Sequence, residues 1–419
     1  MSRVWQRRQP AVNRDSLAGE GWLMRIAVVG SGISGLGAAY LLRRAHDVHV
    51  FEREGRAGGH ANTVVRDGLA LDTGFLVYNE RNYPLLTRLF HELGVATHPS
   101  DMSFSVSCSG CGLEYSGRRP FAQPTNAAKP AFVALLWEIG RWLRTARPGD
   151  ESQSLAEYLD EHRYSQQFRR HFLVPLTSAL WSTAPSRALE VPAAYAIRFF
   201  ANHGMLGFGR FRWRTVTGGS RRYVEAIGAR LGDRLRLGSA VRSVRRSADG
   251  VELRLGDRVE RFDRVVLATH ADQALALLED PTPEERQVLS RFVYTRNEAV
   301  LHTDSSFLPR TRRARASWNY RLGDDGRPTI TYHLNRLQGL VADREYCVTL
   351  NETVSEEHVL ARVAYEHPLY TVDTPRAQAS LARLAGGRTH YAGAYFGNGF
   401  HEDGLASGVA VARALGVEW

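Results

Sequence analysis

The chain has 419 residues, of which 43% are hydrophobic and 23% charged, and a formal net charge of +10. That length and apolar content support a large core in about two domains, which excludes a disordered or fibrous protein, and three cysteines in so long a chain argue against a disulfide-stapled secreted scaffold. The excess of base over acid favours acidic partners; no basic motif of a nucleic-acid module is present, so a membrane surface is preferred to nucleic acid.

Residues 1–24 are polar and Arg-bearing and read as a disordered tail without an apolar run of signal-peptide length. No stretch reaches the roughly 18 to 20 apolar residues of a spanning helix, so the expected location is cytoplasmic, at most peripheral at the inner membrane face. Arg25 to Val29 is a β-branched run suited to a buried parallel strand, Leu36 to Arg44 suits a helix, and Val48 to Phe51 a second strand. Between the first two lies Gly30-Ser31-Gly32-Ile33-Ser34-Gly35. Gly30 serves a tight turn, Gly32 lets the backbone approach a pyrophosphate, and Gly35 lets helix and strand pack, with the phosphates at the positive end of the helix. Glu52 follows Gly30 by 22 residues, near the spacing at which an acid binds a ribose hydroxyl. An acid there disfavours the 2′-phosphate of NADP.

Further along, Cys108-Ser109-Gly110-Cys111 has metal-ligand or redox spacing but falls at a hairpin tip between 104–107 and 113–115. It reads as a turn; no second Cys or His pair completes a zinc set, and no metal is expected. Residues 131–144 place Phe132, Leu135, Leu136, Ile139 and Leu143 on one helical face, with Trp137, Arg141, Trp142 and Arg144 on the other side or the end. The helix reads as core, with an interfacial membrane helix as the alternative. Aromatic-rich stretches at 168–183 and 199–213, the latter including Phe208, suit the wall of a long apolar pocket, and strand-like runs at 293–302, 328–334 and 346–350 suit its floor. Thr217-Gly218-Gly219-Ser220 precedes a helix over 221–231, followed by strands at 234–237, 240–244, 251–255 and 259–268.

The segments Glu52-Arg53-Glu54-Gly55-Arg56-Ala57-Gly58-Gly59-His60 and Leu71-Asp72-Thr73-Gly74-Phe75 resemble the flavin-containing amine oxidase and protoporphyrinogen oxidase superfamily, which also includes carotenoid desaturases. Residues 261–270, ending in Ala268-Thr269-His270, and 391–412, with Gly393, His401, Asp403, Gly404 and Leu405, extend the resemblance. It implies an α/β, amine oxidase-like fold: a discontinuous Rossmann-type FAD-binding domain (25–100, 211–280 and 385–419) and an α+β substrate domain (101–210 and 281–384). FAD is the implied cofactor, held by Gly30, Gly32, Ser34, Gly35, Glu52, Arg53, Arg56, Gly58, Gly59, His60, Asp72, Thr73, Gly74, Val241, Ala268, Gly393, Asp403, Gly404 and Leu405. Gly404 and Leu405 are expected to open a helix whose amides face the flavin.

Two departures stand out. Relatives often have Gly-Asp where this chain has Gly393-Ala394, so that contact is absent or falls to Glu402 or Asp403. Amine oxidases commonly place a cage tyrosine where His401 stands, and the one lysine, Lys129, lies in a Pro-rich segment unsuited to holding a water near the flavin. Amine oxidation is therefore disfavoured. His401 suits proton transfer, because a histidine changes charge near neutral pH. Tyr78 to Pro84, Ser100 to Phe104, Trp213 to Ser220 and Gly399 to Gly404 resemble, more narrowly, bacterial NAD/FAD-binding proteins associated with cyclopropane-type fatty-acid methyltransferases and furan fatty acid formation. That implies oxidation or desaturation of a fatty acyl chain, a methyltransferase partner, His401 as the catalytic residue, and Asn202, His203, Trp213, Tyr332 and Asn335 at the substrate. Oxygen insertion, a carotenoid- or porphyrinogen-type oxidation, and a flavin-free lipid-escort role are the alternatives.

Overall fold

A computed structural model describes residues 23–181, 184–206, 211–323, 328–371, 373–384 and 386–419. Phe208 and nearly all of the expected tail lie outside them. The first strand, β1 (Arg25–Val29), runs into helix α1 (Ile33–Leu42) and returns as β2 (Asp47–Phe51). Every residue of α1 is buried, which explains why its Ala- and Leu-rich sequence shows no polar stripe. Three later strands, β3 (Leu235–Arg236), β4 (Arg264–Leu267) and β5 (Thr389–Tyr391), complete a parallel sheet in the order β3-β2-β1-β4-β5.

The run expected as one strand over 259–268 is divided at Asp263. Arg258–Phe262 pairs antiparallel in a separate three-stranded sheet, whereas β4 pairs parallel with β1. The Asp263 carboxylate accepts the Arg25 amide at 2.6 Å, so the residue between the two strands also anchors the start of β1.

Helix α2 (Arg221–Leu231) lies where expected, and α3 (His401–Ala414) closes the fold against α1. A Cβ on Gly408 would strike the Ser34 carbonyl oxygen, and one on Gly404 would lie 2.8 Å from Ile33. Glycines at these two positions thus set how near the helices approach.

Seven further strands build a second large sheet in the order Val359–Pro368, Tyr294–His302, Cys347–Leu350, Pro328–His333, Trp318–Leu322, Phe104–Cys108, Leu113–Ser116. The three strands expected as a pocket floor all belong to it. Helix Pro130–Thr145 packs Phe132, Leu135 and Trp142 into the core. Trp142, expected on the outer side, is fully buried among Tyr158, Tyr164, Phe168 and Phe200; the outer edge instead carries Val133, 50% exposed, and Trp137, 62% exposed. The Trp142 ring fills a space bounded by four aromatic rings, and simple helical periodicity does not report that depth. Among the described residues no helix is long and apolar enough to cross a membrane.

Replacing Gly408 by alanine forces α1 and α3 apart and is expected to cost about 1–3 kcal/mol, read as a lowered urea midpoint. An unchanged midpoint would remove this contact from the packing account.

Candidate active site

A cavity of about 900 Å³ is lined by residues from both large sheets. At one end the chain turns from β1 into α1. Gly30 has φ +102° and its Cβ position falls 2.6 Å from the Ala268 carbonyl oxygen, so only glycine fits. A Cβ on Gly35 would strike the Gly30 carbonyl; Gly35 therefore packs helix on strand and does not line the cavity. Helix α1 has no acidic residue in its first turn and no side-chain cap from Gly32. Its free amides and positive dipole end are left for an anion. Gly32 and Ser34 lie on the wall there.

Glu52 follows the last residue of β2. Its Oε2 accepts the Ser31 amide at 3.0 Å and the Ser31 hydroxyl at 2.6 Å, and its Oε1 accepts the Glu54 amide at 3.0 Å. Three donors fix the carboxylate before any ribose arrives. Arg53, Val241 and Ala268 flank it on the wall. Arg56 donates to the Gly59 carbonyl at 2.9 Å, bracing the Gly58-Gly59 turn. Gly58, with φ +113°, has its Cβ position 2.5 Å from the Ala61 carbonyl oxygen. Thr73, Gly74 and Gly393 continue the same wall.

His60 stacks on Tyr365 with ring centroids 4.8 Å apart, and His367 lies 5.2 Å away. Its Nε2 is buried and has no hydrogen-bond partner among the described residues. Burial holds its pKa well below the usual value, leaving a neutral ring beside the cradle. This orphaned nitrogen, the glycine-lined backbone and the uncapped helix end fit an extended dinucleotide such as FAD.

His401 begins α3, stacks on Phe75 at 3.9 Å and meets the Tyr223 hydroxyl through Nε2 at 3.1 Å. It lines the cavity, but burial lowers its pKa to about 3. The expected change of charge near neutral pH is therefore corrected: the imidazole stays neutral. Nearby, His203 stacks on Phe199 at 3.8 Å, and Phe199 on Phe400 at 4.9 Å. Trp213 and Tyr332 also lie on the wall.

Several expected site residues lie elsewhere. Asp72 is buried off the cavity, accepting from the Ser220 amide at 2.9 Å, the Ser220 hydroxyl at 2.8 Å, Thr63 at 2.6 Å and Gln338 at 3.1 Å. It joins the start of α2 to the 63–72 hairpin and to Gln338, and burial raises its pKa to about 6. Asp403 accepts the Phe400 amide at 3.0 Å and so caps α3. Glu402 accepts the Leu85 and Leu86 amides at 2.8 and 3.0 Å, capping helix Pro84–Leu93. Neither acid replaces the Gly-Asp contact. Helix α3 opens at His401, so Gly404 and Leu405 sit inside its first turns and pack on α1. Asn202 is exposed, its carbonyl taken by Asn82 at 2.8 Å. Asn335 binds the Arg344 carbonyl and the Tyr346 amide at 2.8 and 2.7 Å, closing a loop.

Sequence reasoning missed the strand end Tyr365-Glu366-His367 and its neighbours His270 and Tyr294, all on the cavity wall. Glu366 lies 3.2 Å from His270 Nδ1, and His270 stacks on Tyr294 at 4.3 Å. Burial outweighs the Glu366 carboxylate and lowers the His270 pKa. The polar and aromatic alternation in 365–367 was the available signal.

Glu52→Gln is expected to weaken FAD binding by about 10- to 100-fold through loss of charge-assisted hydrogen bonds, measured by reconstituting apoprotein and following flavin fluorescence; equal affinity would remove Glu52 from the cradle. Because folded His401 binds its proton only near pH 3 and an unfolded histidine near 6.5, its contribution to stability is complete above 6.5 and declines as pH falls toward 3. The urea midpoint of His401→Phe is expected to fall less steeply than that of the parent below pH 6.5; parallel curves would contradict a neutral buried His401.

Residues 33–330 match the family model described as flavin containing amine oxidoreductase. A protein of Mycobacterium tuberculosis (strain CDC 1551 / Oshkosh) named as a flavin-containing monoamine oxidase, AofH, is 28% identical over 288 residues, 64% of this chain and 62% of that protein. Protoporphyrinogen oxidase 2 of Arabidopsis thaliana is 32% identical over 152 residues, 35% of this chain and 29% of that protein. The chain thus spans 62% or less of the length of these curated relatives. Cyclohexylamine oxidase from Brevibacterium oxydans IH-35A superposes with TM-score 0.67 at 18% identity, covering 94% of this chain and 99% of that one. A CLA-producing fatty acid isomerase from P. acnes does so with TM-score 0.64 at 18% identity, covering 93% and 98%. A match over most of the length, on a fold whose glycine-lined cradle suits FAD, establishes that the chain belongs to the flavin containing amine oxidoreductase family.

Proposed function

We propose that this protein is an FAD-dependent oxidoreductase that oxidises or desaturates a fatty acyl chain, methylated or unsaturated and carried on a phospholipid. The observation that carries this reading is the wall of the cavity beyond the cradle, where Leu180, Trp181, Phe199, Met205, Trp318 and Leu350 form an apolar lining. Such a surface suits a hydrocarbon chain by burial alone. The sole lysine, Lys129, is not on it, and the one carboxylate of the missed cluster, Glu366, is shared between His270 and Gln273. Both points weigh against an amine. A fatty acid isomerase and a 4,4'-diapophytoene desaturase of Staphylococcus aureus stand among the similar proteins, so lipid-like substrates accord with this family.

Bound FAD supplies the two-electron acceptor for a hydride leaving an activated acyl carbon, with oxygen as the final oxidant. Phe75 and Tyr223 hold the His401 ring in place. With Nε2 committed to Tyr223, Nδ1 is the nitrogen left to meet the proton released from the neighbouring carbon. Burial keeps the imidazolium unfavourable, so His401 carries the proton only in transit and releases it to solvent. Stacked His203, Phe199 and Phe400 steer the chain past this point. Exposed Phe121, Val133 and Trp137, at 52%, 50% and 62%, give the molecule an apolar edge suited to resting on an anionic membrane face. We propose contact there, and with a fatty-acid methyltransferase that supplies the modified chain.

The test is an anaerobic visible spectrum with phospholipids bearing methylated unsaturated chains and no reductant. Bleaching of the oxidised flavin is expected. A flavin that bleaches only with NAD(P)H would replace this reading with oxygen insertion, and a colourless purified protein with a lipid-escort role. His401→Ala is expected to slow lipid-driven bleaching by about 100-fold or more while retaining flavin; normal turnover would remove His401 from the chemistry.

A further inference from the structure

The two strands Phe104–Cys108 and Leu113–Ser116 form a hairpin in which Cys108 pairs with Leu113 and Cys111 sits in the exposed turn. A separate helical run passes over it and contains the π-turn Arg169–Leu173, which carries His171. The Tyr115 hydroxyl donates to the His171 carbonyl at 2.6 Å, pinning that turn to the hairpin. Cys111 Sγ then lies 3.5 Å from His171 Nε2, and one ligand atom from each of Cys108, Cys111 and His171 lies within 4.8 Å of the others. The hairpin alone offers two ligands; the fold brings the third from 60 residues away.

Two observations favour a cation here over a plain turn. With Zn–S bonds of about 2.3 Å and Zn–N bonds of about 2.0 Å, the edge of a tetrahedron between sulfur and nitrogen is about 3.5 Å, which the Cys111 to His171 distance matches. His171 is 3% exposed, and its Nε2 is the nitrogen turned toward the Cys111 sulfur. We propose that Cys108, Cys111 and His171 bind one Zn²⁺ ion through two thiolates and an imidazole nitrogen, with water in the fourth position beside exposed Cys111. Soft thiolates with one imidazole select a borderline cation of this kind. Binding releases the two thiol protons to solvent. The helical run ends at Ala179 to Trp181 on the cavity wall, so the ion clips the hairpin of the large sheet to the element that borders the active site.

The test uses the flavin-loaded protein, reduced with a phosphine, stripped of metal and titrated with Co²⁺. One equivalent is expected to give thiolate–cobalt absorption to the red of the flavin bands, release two protons, raise the thermal midpoint and be displaced by Zn²⁺. Cys111→Ser is expected to weaken binding by about 100-fold or more with an unchanged flavin spectrum, whereas Cys347→Ala, at a cysteine buried elsewhere, retains it. Absence of thiolate–cobalt absorption while three free thiols are counted would overturn the proposal, as would equal binding by Cys111→Ser.

Discussion

The close contact of α1 with α3 is the constraint on which the active site depends. Helix α1 follows the first strand and α3 is the last helix, yet Gly404 lets it close on the Ile33 and Ser34 side chains and Gly408 lets backbone meet backbone at Ser34. One consequence is geometric: the uncapped start of α1 and the start of α3, with Asn398 to His401, open into the same cavity. A bulkier residue at either glycine would separate two helix ends that must reach one cofactor. The buried stripe of α1 is apolar or small throughout, so close packing, and not polar pairing, fixes their spacing.

The acids near this contact hold secondary structure in place. Asp72 anchors the start of α2, Glu402 that of helix 84–93, and Asp403 that of α3 itself. Burial raises all three pKa values, to about 6, 7 and 6, and backbone donors at the helix ends offset part of that penalty. The histidines of the cavity have the opposite character. His60, His203, His367 and His401 are all pushed toward neutrality by the same burial, giving a wall that offers hydrogen bonds without net charge and is compatible with an apolar chain.

Much of this was legible in the sequence. Gly30, Gly32 and Glu52 declared the cradle because a tight turn, a close phosphate approach and a ribose contact each demand a particular residue at a particular spacing. Helix 221–231 and five of the seven strands of the large sheet were readable from the sequence, whereas Trp318–Leu322 and Val359–Pro368 were not. What escaped were outcomes of packing. Asp72 and Asp403 occupy the right motif but point to helix ends, and nothing local distinguishes an acid facing a cofactor from one capping a helix. Tyr365 and His367 reach the cavity only because their strand forms the edge of the seven-stranded sheet. Trp142 looked like a surface tryptophan until four aromatic rings from other segments closed over it.

The strand order β3-β2-β1-β4-β5 has a temporal meaning as well. β1 pairs with β2 at once, but its other neighbour, β4, arrives more than two hundred residues later, and β5 and α3 belong to the last thirty or so. During synthesis the early βαβ piece therefore waits with both sheet edges unpaired and the apolar face of α1 uncovered, a state that invites association with other chains. Long loops must close before the late strands repay their entropy, which makes folding slow by topology. The molecule becomes able to hold its cofactor only once β5 and α3 have joined the sheet and the helix laid down far earlier in the chain.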